Sequence, residues 1–214
     1  MTTEREIVLK RIREALLHKT NNPFPDIDFE SDVYKEMEEP PEISFAEAFI
    51  KVSGNFIYCE SEQEFVGNLN ALMTDKQWGS VFCIEDKIKN ILAEGLIPFL
   101  SEEDDMHDIV AGVTGCEFLI ARLGSIMVSS GQQSGRRMFV YPPVHIVLAY
   151  SSQIVPDLKH ALAGIKQKYD DKIPSMISVI TGPSRTADIE KTLVLGAHGP
   201  KEIYLFLVED SNVS

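Results

Sequence analysis

The chain has 214 residues, 44% of them hydrophobic and 25% charged, a length and balance that suit one large soluble domain with a buried core. Its 33 acidic residues outnumber 20 basic ones for a formal charge of -13, which opposes the phosphate neutralisation that nucleic-acid binding requires. No window approaches the roughly 18 consecutive apolar residues of a membrane span, and the opening run MTTEREIVLKRIREALL lacks the apolar core of a secretory signal, so a cytoplasmic location is expected.

From Glu4 to about His18, residues Ile7, Val8, Ile12, Ala15 and Leu16 fall at helical spacing between Arg and Glu, the pattern of an amphipathic helix. The acidic, proline-bearing stretch Asn21 to Pro41 favours an extended arm. The reading therefore divides the chain into a helix and arm over 1–42 and an α/β domain over 43–214. Ser44 with Glu47, and Ser61 with Glu64, have capping-box spacing and mark two helix starts. Between them Asn55 to Cys59 reads as a strand. A strand at Ser80 to Ile84, a helix at Asp86 to Ala93 and an apolar stretch at Leu96 to Leu100 continue the alternation, which argues for parallel pairing through crossover helices.

Asp108 to Ser130 is apolar, β-branched and interrupted by Gly112, Gly115 and Gly124, which predicts strands with a hairpin near Gly124. Ser129 to Arg137, SSGQQSGRR, reads as an exposed loop. The strand PPVHIVLAY follows, then a helix from Pro156 to about Tyr169 with proline in its first turn. The last unit reads as a strand at Met176 to Ile180, a loop at Thr181 to Ala187 entering a helix that stops near Gly196, and a strand at Ile203 to Val208, joined by a right-handed crossover. The fold class is α/β, with a mixed, mainly parallel sheet and flanking helices.

Ligands of open α/β sheets bind beyond the C-terminal strand ends, which makes Thr181 to Asp188 the first candidate site. Gly182 permits close backbone approach, Ser184 and Thr186 supply hydroxyls, Arg185 supplies a forked cation, and a helix N-terminus would add unpaired N–H groups; together they suit a carboxylate or phosphate. The structural alternative is a helix cap with Arg185 paired to Asp188 or Glu190. Ser129, Ser130, Gly131 and Arg136 form a second anion-suited loop that would look the same as a surface hairpin. His198, in the turn Gly196-Ala197-His198-Gly199-Pro200, is an acid–base candidate or a turn-holding donor; it should lie at the far end of the crossover helix from Ser184. His145 reads as a satisfied interior histidine. Cys59, Cys83 and Cys116 are scattered and read as core residues, with no spacing for zinc or an iron–sulfur cluster. No catalytic triad is legible from spacing.

The stretch Ile180 to Pro200, ITGPSRTADIEKTLVLGAHGP, resembles the signature segment of LUD-domain proteins. Gly112-Val113-Thr114-Gly115, Gly124-Ser125, Pro142-Pro143-Val144-His145-Ile146 and Ile154-Val155-Pro156 resemble the family in the expected order. The resemblance covers the C-terminal half well and the first half weakly. It implies a fold related to the NagB/RpiA/CoA-transferase superfamily and a role, with two iron–sulfur partner proteins, in oxidising L-lactate to pyruvate. It implies no cofactor in this chain, whose size and lack of cluster cysteines are similar to the shorter family members. Ala121-Arg122-Leu123-Gly124-Ser125 departs from the family's Ala-Glu-Thr-Gly-Thr/Ser pattern, so no role for that glutamate carries over to Arg122. The alternatives are a stand-alone enzyme acting on a sugar phosphate or CoA ester, and a regulatory or scaffolding subunit.

Overall fold

The computed structural model describes residues 3–17, 24–26, 37–102, 109–170, 172–186, 194–195 and 198–210. The chain divides into two units, Met1–Glu36 and Met37–Ser214. The first holds helix α1, Glu4–Leu17, with no buried residue. Most of the expected arm lies outside the described residues.

The second unit opens with helix α2, Pro41–Lys51, so the boundary drawn at residue 42 falls inside a helix. Ser44 is not its cap. Pro41 occupies the first turn, where a missing N–H costs nothing and a fixed φ is already helical, and the helix starts four residues earlier than a Ser44 cap would place it, with Pro40 at the N-cap position. Ser61 does cap helix α3, Glu62–Lys76, accepting the Glu64 N–H at 3.2 Å, while the Glu64 carboxylate reaches back to the Glu60 N–H at 2.7 Å. Helix α4 is Asp86–Glu94. Helix α5 is Leu158–Tyr169, capped by Asp157 rather than opened by Pro156, since a carboxylate satisfies the N–H groups of Lys159 and His160.

Six strands form a wholly parallel sheet: β1 (Asn55–Cys59), β2 (Val81–Phe82), β3 (Phe99–Leu100), β4 (Ala111–Thr114), β7 (Val144–Tyr150) and β12 (Glu202–Val208), in the order β1-β12-β7-β4-β2-β3. A second sheet runs β8-β5-β6-β9, from β5 (Phe118–Ile120), β6 (Ser125–Ser129), β8 (Ile154–Val155) and β9 (Ile177–Ile180). Its β5-β6 pair is the expected hairpin. The turn passes through Gly124 at φ +56°, where a β-carbon would collide with the α2 backbone at Ala48 and Phe49.

Strand alternation builds the layers. Tyr204, Phe206 and Val208 face α3 and α4, while Ile203, Leu205 and Leu207 face the second sheet and α2. On that second side Phe45 and Phe49 of α2, both fully buried, stack with ring centroids 5.5 Å apart. Helix α5 covers the outer face of the second sheet through Ala161 and Ile165. The fold is thus α/β with a mainly parallel sheet and flanking helices. The final crossover is not formed as expected, because β9 joins the second sheet antiparallel to β6. After it, Arg185–Thr186 (β10), in the expected loop, pairs antiparallel with Val194–Leu195 (β11), so the last residues of the expected helix form a strand; residues 187–193 lie outside the described residues. Among the described residues no helix is long and apolar enough to cross a membrane.

Candidate functional site

The connection from β6 to β7 packs Met138 against Phe82 of β2 and Ile109 before β4, and it is pinned at several points. Gln133 exchanges two hydrogen bonds with Asp86 at the start of α4: the Asp86 N–H donates to Oε1 and Nε2 donates to the carboxylate, both at 2.9 Å. With Lys89 as the larger cause and Gln133 the next, the Asp86 carboxyl is held below the usual range. The Ser134 hydroxyl donates to Glu85, whose carboxylate also accepts the Gly115 N–H at 2.9 Å. Met138 and Pro142 then lie over Gly112, where a β-carbon would come within 2.7 Å of each; glycine is what lets this strap close on β4. Within the loop read as exposed, Gly131, Gln133, Arg136 and Arg137 are exposed while Ser129 and Ser134 are buried, and Met138 and Phe139 just beyond it are buried too, so the connection is a strap.

Beneath it lies a buried polar pair. The Thr114 hydroxyl lies 2.9 Å from the Gly115 carbonyl oxygen and 2.8 Å from His145 Nε2, and the tautomer of the imidazole sets which partner donates in the second contact. His145 Nδ1 has no hydrogen-bond partner among the described residues. The ring is fully buried, and burial pushes its pKa down to about 4. His145 is interior as expected, but only half satisfied.

Glu117, just beyond β4, carries a carboxylate with no exposed side-chain surface. It accepts the hydroxyls of Ser129 and Tyr169, each at 2.6 Å, and the Lys168 ammonium at 2.7 Å. Burial raises its pKa, but the bonds from Lys168, Ser129 and Tyr169 outweigh burial and leave the carboxyl below its ordinary value. Ser129 in turn accepts the Gly131 N–H at 3.0 Å and donates its own N–H to Gln132, so the carboxylate fixes the root of the strap. Sequence reasoning missed Glu85 and Glu117. The signal for Glu117 was an acid inside the apolar run GCEFLIA, where an unpaired charge would be expensive.

The first-choice loop is largely engaged with the protein. Thr181 Oγ1 meets Ser125 Oγ at 2.8 Å. Gly182 has φ +82°, and a β-carbon there would collide with the Val52 carbonyl oxygen. Arg185 donates through Nη2 to that same carbonyl at 2.9 Å and to Ser53 Oγ at 2.5 Å, tying β10 to the end of α2. Thr186 lies in β10 and Asp188 is outside the described residues. His198 is exposed. Contrary to the expected separation, its turn lies beside Ser184, whose N–H donates to Pro200 at 2.9 Å; a β-carbon on Gly199 would come within 3.2 Å of Ser184 Cβ and 3.9 Å of a Val140 methyl.

Val140 also lines a cleft of about 320 Å3 with Arg136, Arg137 and Tyr141. Arg136 donates to Ser175 Oγ at 2.6 Å, and the Arg137 guanidinium sits 6.0 Å from the Tyr141 ring centroid. Ser130 makes hydroxyl contact with Ser175 at 3.4 Å. Thus Ser184 lies against the Gly199 turn, which reaches Val140 of the cleft, while Thr181 bonds the hairpin and Arg185 the end of α2. Among the described residues no three His, Cys, Asp or Glu side chains gather to hold a metal.

The LUD domain profile matches residues 102–208, half of the chain, which takes in the strap, the cleft, His145 and Glu117. The chain belongs to the LUD domain family. Curated relatives include Lactate utilization protein C of Bacillus licheniformis, 43% identical over 101 residues, and that of Bacillus subtilis, 38% identical over 101 residues. Each alignment covers 46% of this chain and 42% of the relative, so this LUD chain spans less than half the length of either. A crystal structure of a DUF162 family protein from Deinococcus radiodurans superposes with a TM-score of 0.58 at 17% identity, covering 78% of this chain and 96% of that one, and shares the fold.

Proposed function

We propose that this LUD-domain chain acts in cytoplasmic lactate utilization as a subunit that works with two iron–sulfur proteins to oxidise L-lactate to pyruvate. It holds the small carboxylate and leaves the redox centres to its partners. The relatives' names support the pathway. The observation that carries the ligand reading is the cleft, where two neighbouring arginines meet the apolar surfaces of Val140 and Tyr141 in an otherwise acidic chain. Guanidinium groups match a carboxylate in charge and shape, and the apolar wall suits a methyl group. Reconstituting L-lactate oxidation by the iron–sulfur partners with and without this chain tests the pathway role; equal rates would reject it. Thermal-shift titration with L-lactate tests the cleft, since a ligand that binds only the native state raises its melting temperature. The size of the cleft, within the range of small-molecule sites, also keeps open a phosphate- or thioester-bearing ligand and a stand-alone enzyme, so sugar phosphates and CoA esters belong in the same titration.

A further inference from the structure

We propose that Glu85 is a positioning residue of the arginine-lined cleft: by holding Ser134 it sets where Arg136 and Arg137 stand, so that a carboxylate outside the cleft is needed for an anion to bind within it. This inference rests on the reading of the cleft as a carboxylate site.

Both arginines are exposed, and long exposed side chains carry enough conformational freedom to weaken a site built from them unless their backbone is fixed. The strap fixes it from two directions. Upstream, the buried Ser134 hydroxyl donates to Glu85 Oε1, and Gln133 exchanges its two bonds with Asp86 at the start of α4. Gly135 then turns the chain at φ +61°, a conformation that suits glycine, and Arg136 follows two residues after Ser134. Downstream, Met138 is fully buried against Phe82 and Ile109. The Arg136 guanidinium is held separately, by its bond to Ser175 Oγ at 2.6 Å. Residues 135–137 therefore run between two anchored points, and releasing the upstream one leaves the arginines on a segment fixed at one end.

A single oxygen makes the upstream anchor. Glu85 Oε1 accepts the Ser134 hydroxyl and also the Gly115 N–H, the latter at 2.9 Å, so it joins the strap to the end of β4. Glu85 is not among the residues that line the cleft, and its negative charge opposes an anion. If charge alone mattered, removing it would strengthen anion binding; if it positions the arginines, removing it weakens binding. The two effects differ in sign. Glutamine separates them, since its amide oxygen can accept the same two bonds without the charge.

The test measures L-lactate binding to the full chain by calorimetry, under conditions where urea unfolding shows each variant to be folded. Glu85→Ala should bind about ten-fold more weakly than the wild type, and Glu85→Gln within about two-fold of it or tighter. Gln133→Ala combined with Ser134→Ala cuts the same anchor from the strap side and leaves the Glu85 bond to Gly115. It should bind as weakly as Glu85→Ala, and it decides the matter if that variant does not fold. Hydrogen exchange without ligand should show protection lost over residues 133–137 and kept in β7 and β12; loosening throughout the sheet is the mark of a merely structural role and overturns the proposal. Binding by Glu85→Ala as tight as the wild type or tighter overturns the role of Glu85 while the cleft stands, as does Glu85→Gln binding as weakly as Glu85→Ala. If the wild type does not bind L-lactate, or Arg136→Ala combined with Arg137→Ala binds it as the wild type does, the cleft reading fails and the role of Glu85 falls with it.

Discussion

Replacing Glu117 with glutamine preserves the shape of the side chain and removes its charge and one acceptor. The retained carbonyl oxygen can keep the bonds from Ser129 and Tyr169, now without charge assistance. The new amide nitrogen meets the Lys168 ammonium, a donor facing a donor. Lys168 is 56% exposed and can turn to water cheaply, but the position it leaves is fully buried, so an amide N–H stays unsatisfied. An orphaned buried donor costs about 1–3 kcal/mol and two weakened bonds add to it, giving a loss of roughly 2–4 kcal/mol. Urea unfolding at pH 7 reads this as a fall in midpoint at unchanged slope. The pH dependence supplies a second reading. The carboxyl has a lower pKa folded than unfolded, so its stabilisation is complete above the unfolded value of 4.5 and is lost as pH falls through the folded value. The wild type and Glu117→Gln should therefore differ most near neutrality and converge in acid. A variant as stable as the wild type at pH 7, or a gap that stays constant down to pH 3, would refute the idea that ionised Glu117 holds this network.

His145 titrates in a separate window: with its pKa pushed down to about 4 in the fold and near 6.5 unfolded, it is a group on which the unfolded chain binds more protons, so stability should fall as pH drops from 6.5 toward 4. His145→Phe, if folded, should flatten that part of the unfolding curve. Arg185→Ala should lower the melting temperature with no ligand present, by the worth of its bonds to Val52 and Ser53, about 1–2 kcal/mol; unchanged melting with weakened anion binding would restore the loop as a ligand site. Gly182→Ala should cost more than Arg185→Ala in the same assay, because it adds strain at φ +82° to a collision with Val52. Asp157→Ala should cost about 1 kcal/mol through the lost N-cap of α5, measured by urea unfolding.

Elements with strong local signals were legible in the sequence. Asn55–Cys59 is a strand as read, Ser61 caps its helix, and the hairpin turns at Gly124, because caps, glycine turns and alternation act within a few residues. The LUD resemblance was legible as well, since it is carried by motifs in chain order. What the sequence could not specify is which sheet a strand joins. Met176 to Ile180 looks the same whether it continues the parallel sheet or pairs antiparallel with β6, and the choice depends on which apolar face it can bury. That choice moved the site. With β9 in the second sheet, Arg185 turns to the end of α2, and the turn at Gly199 comes to rest on Ser184. The buried carboxylate at Glu117 and the unpaired Nδ1 of His145 were likewise invisible, because desolvation and hydrogen-bond satisfaction are properties of what packs around a residue and have no local spacing to read.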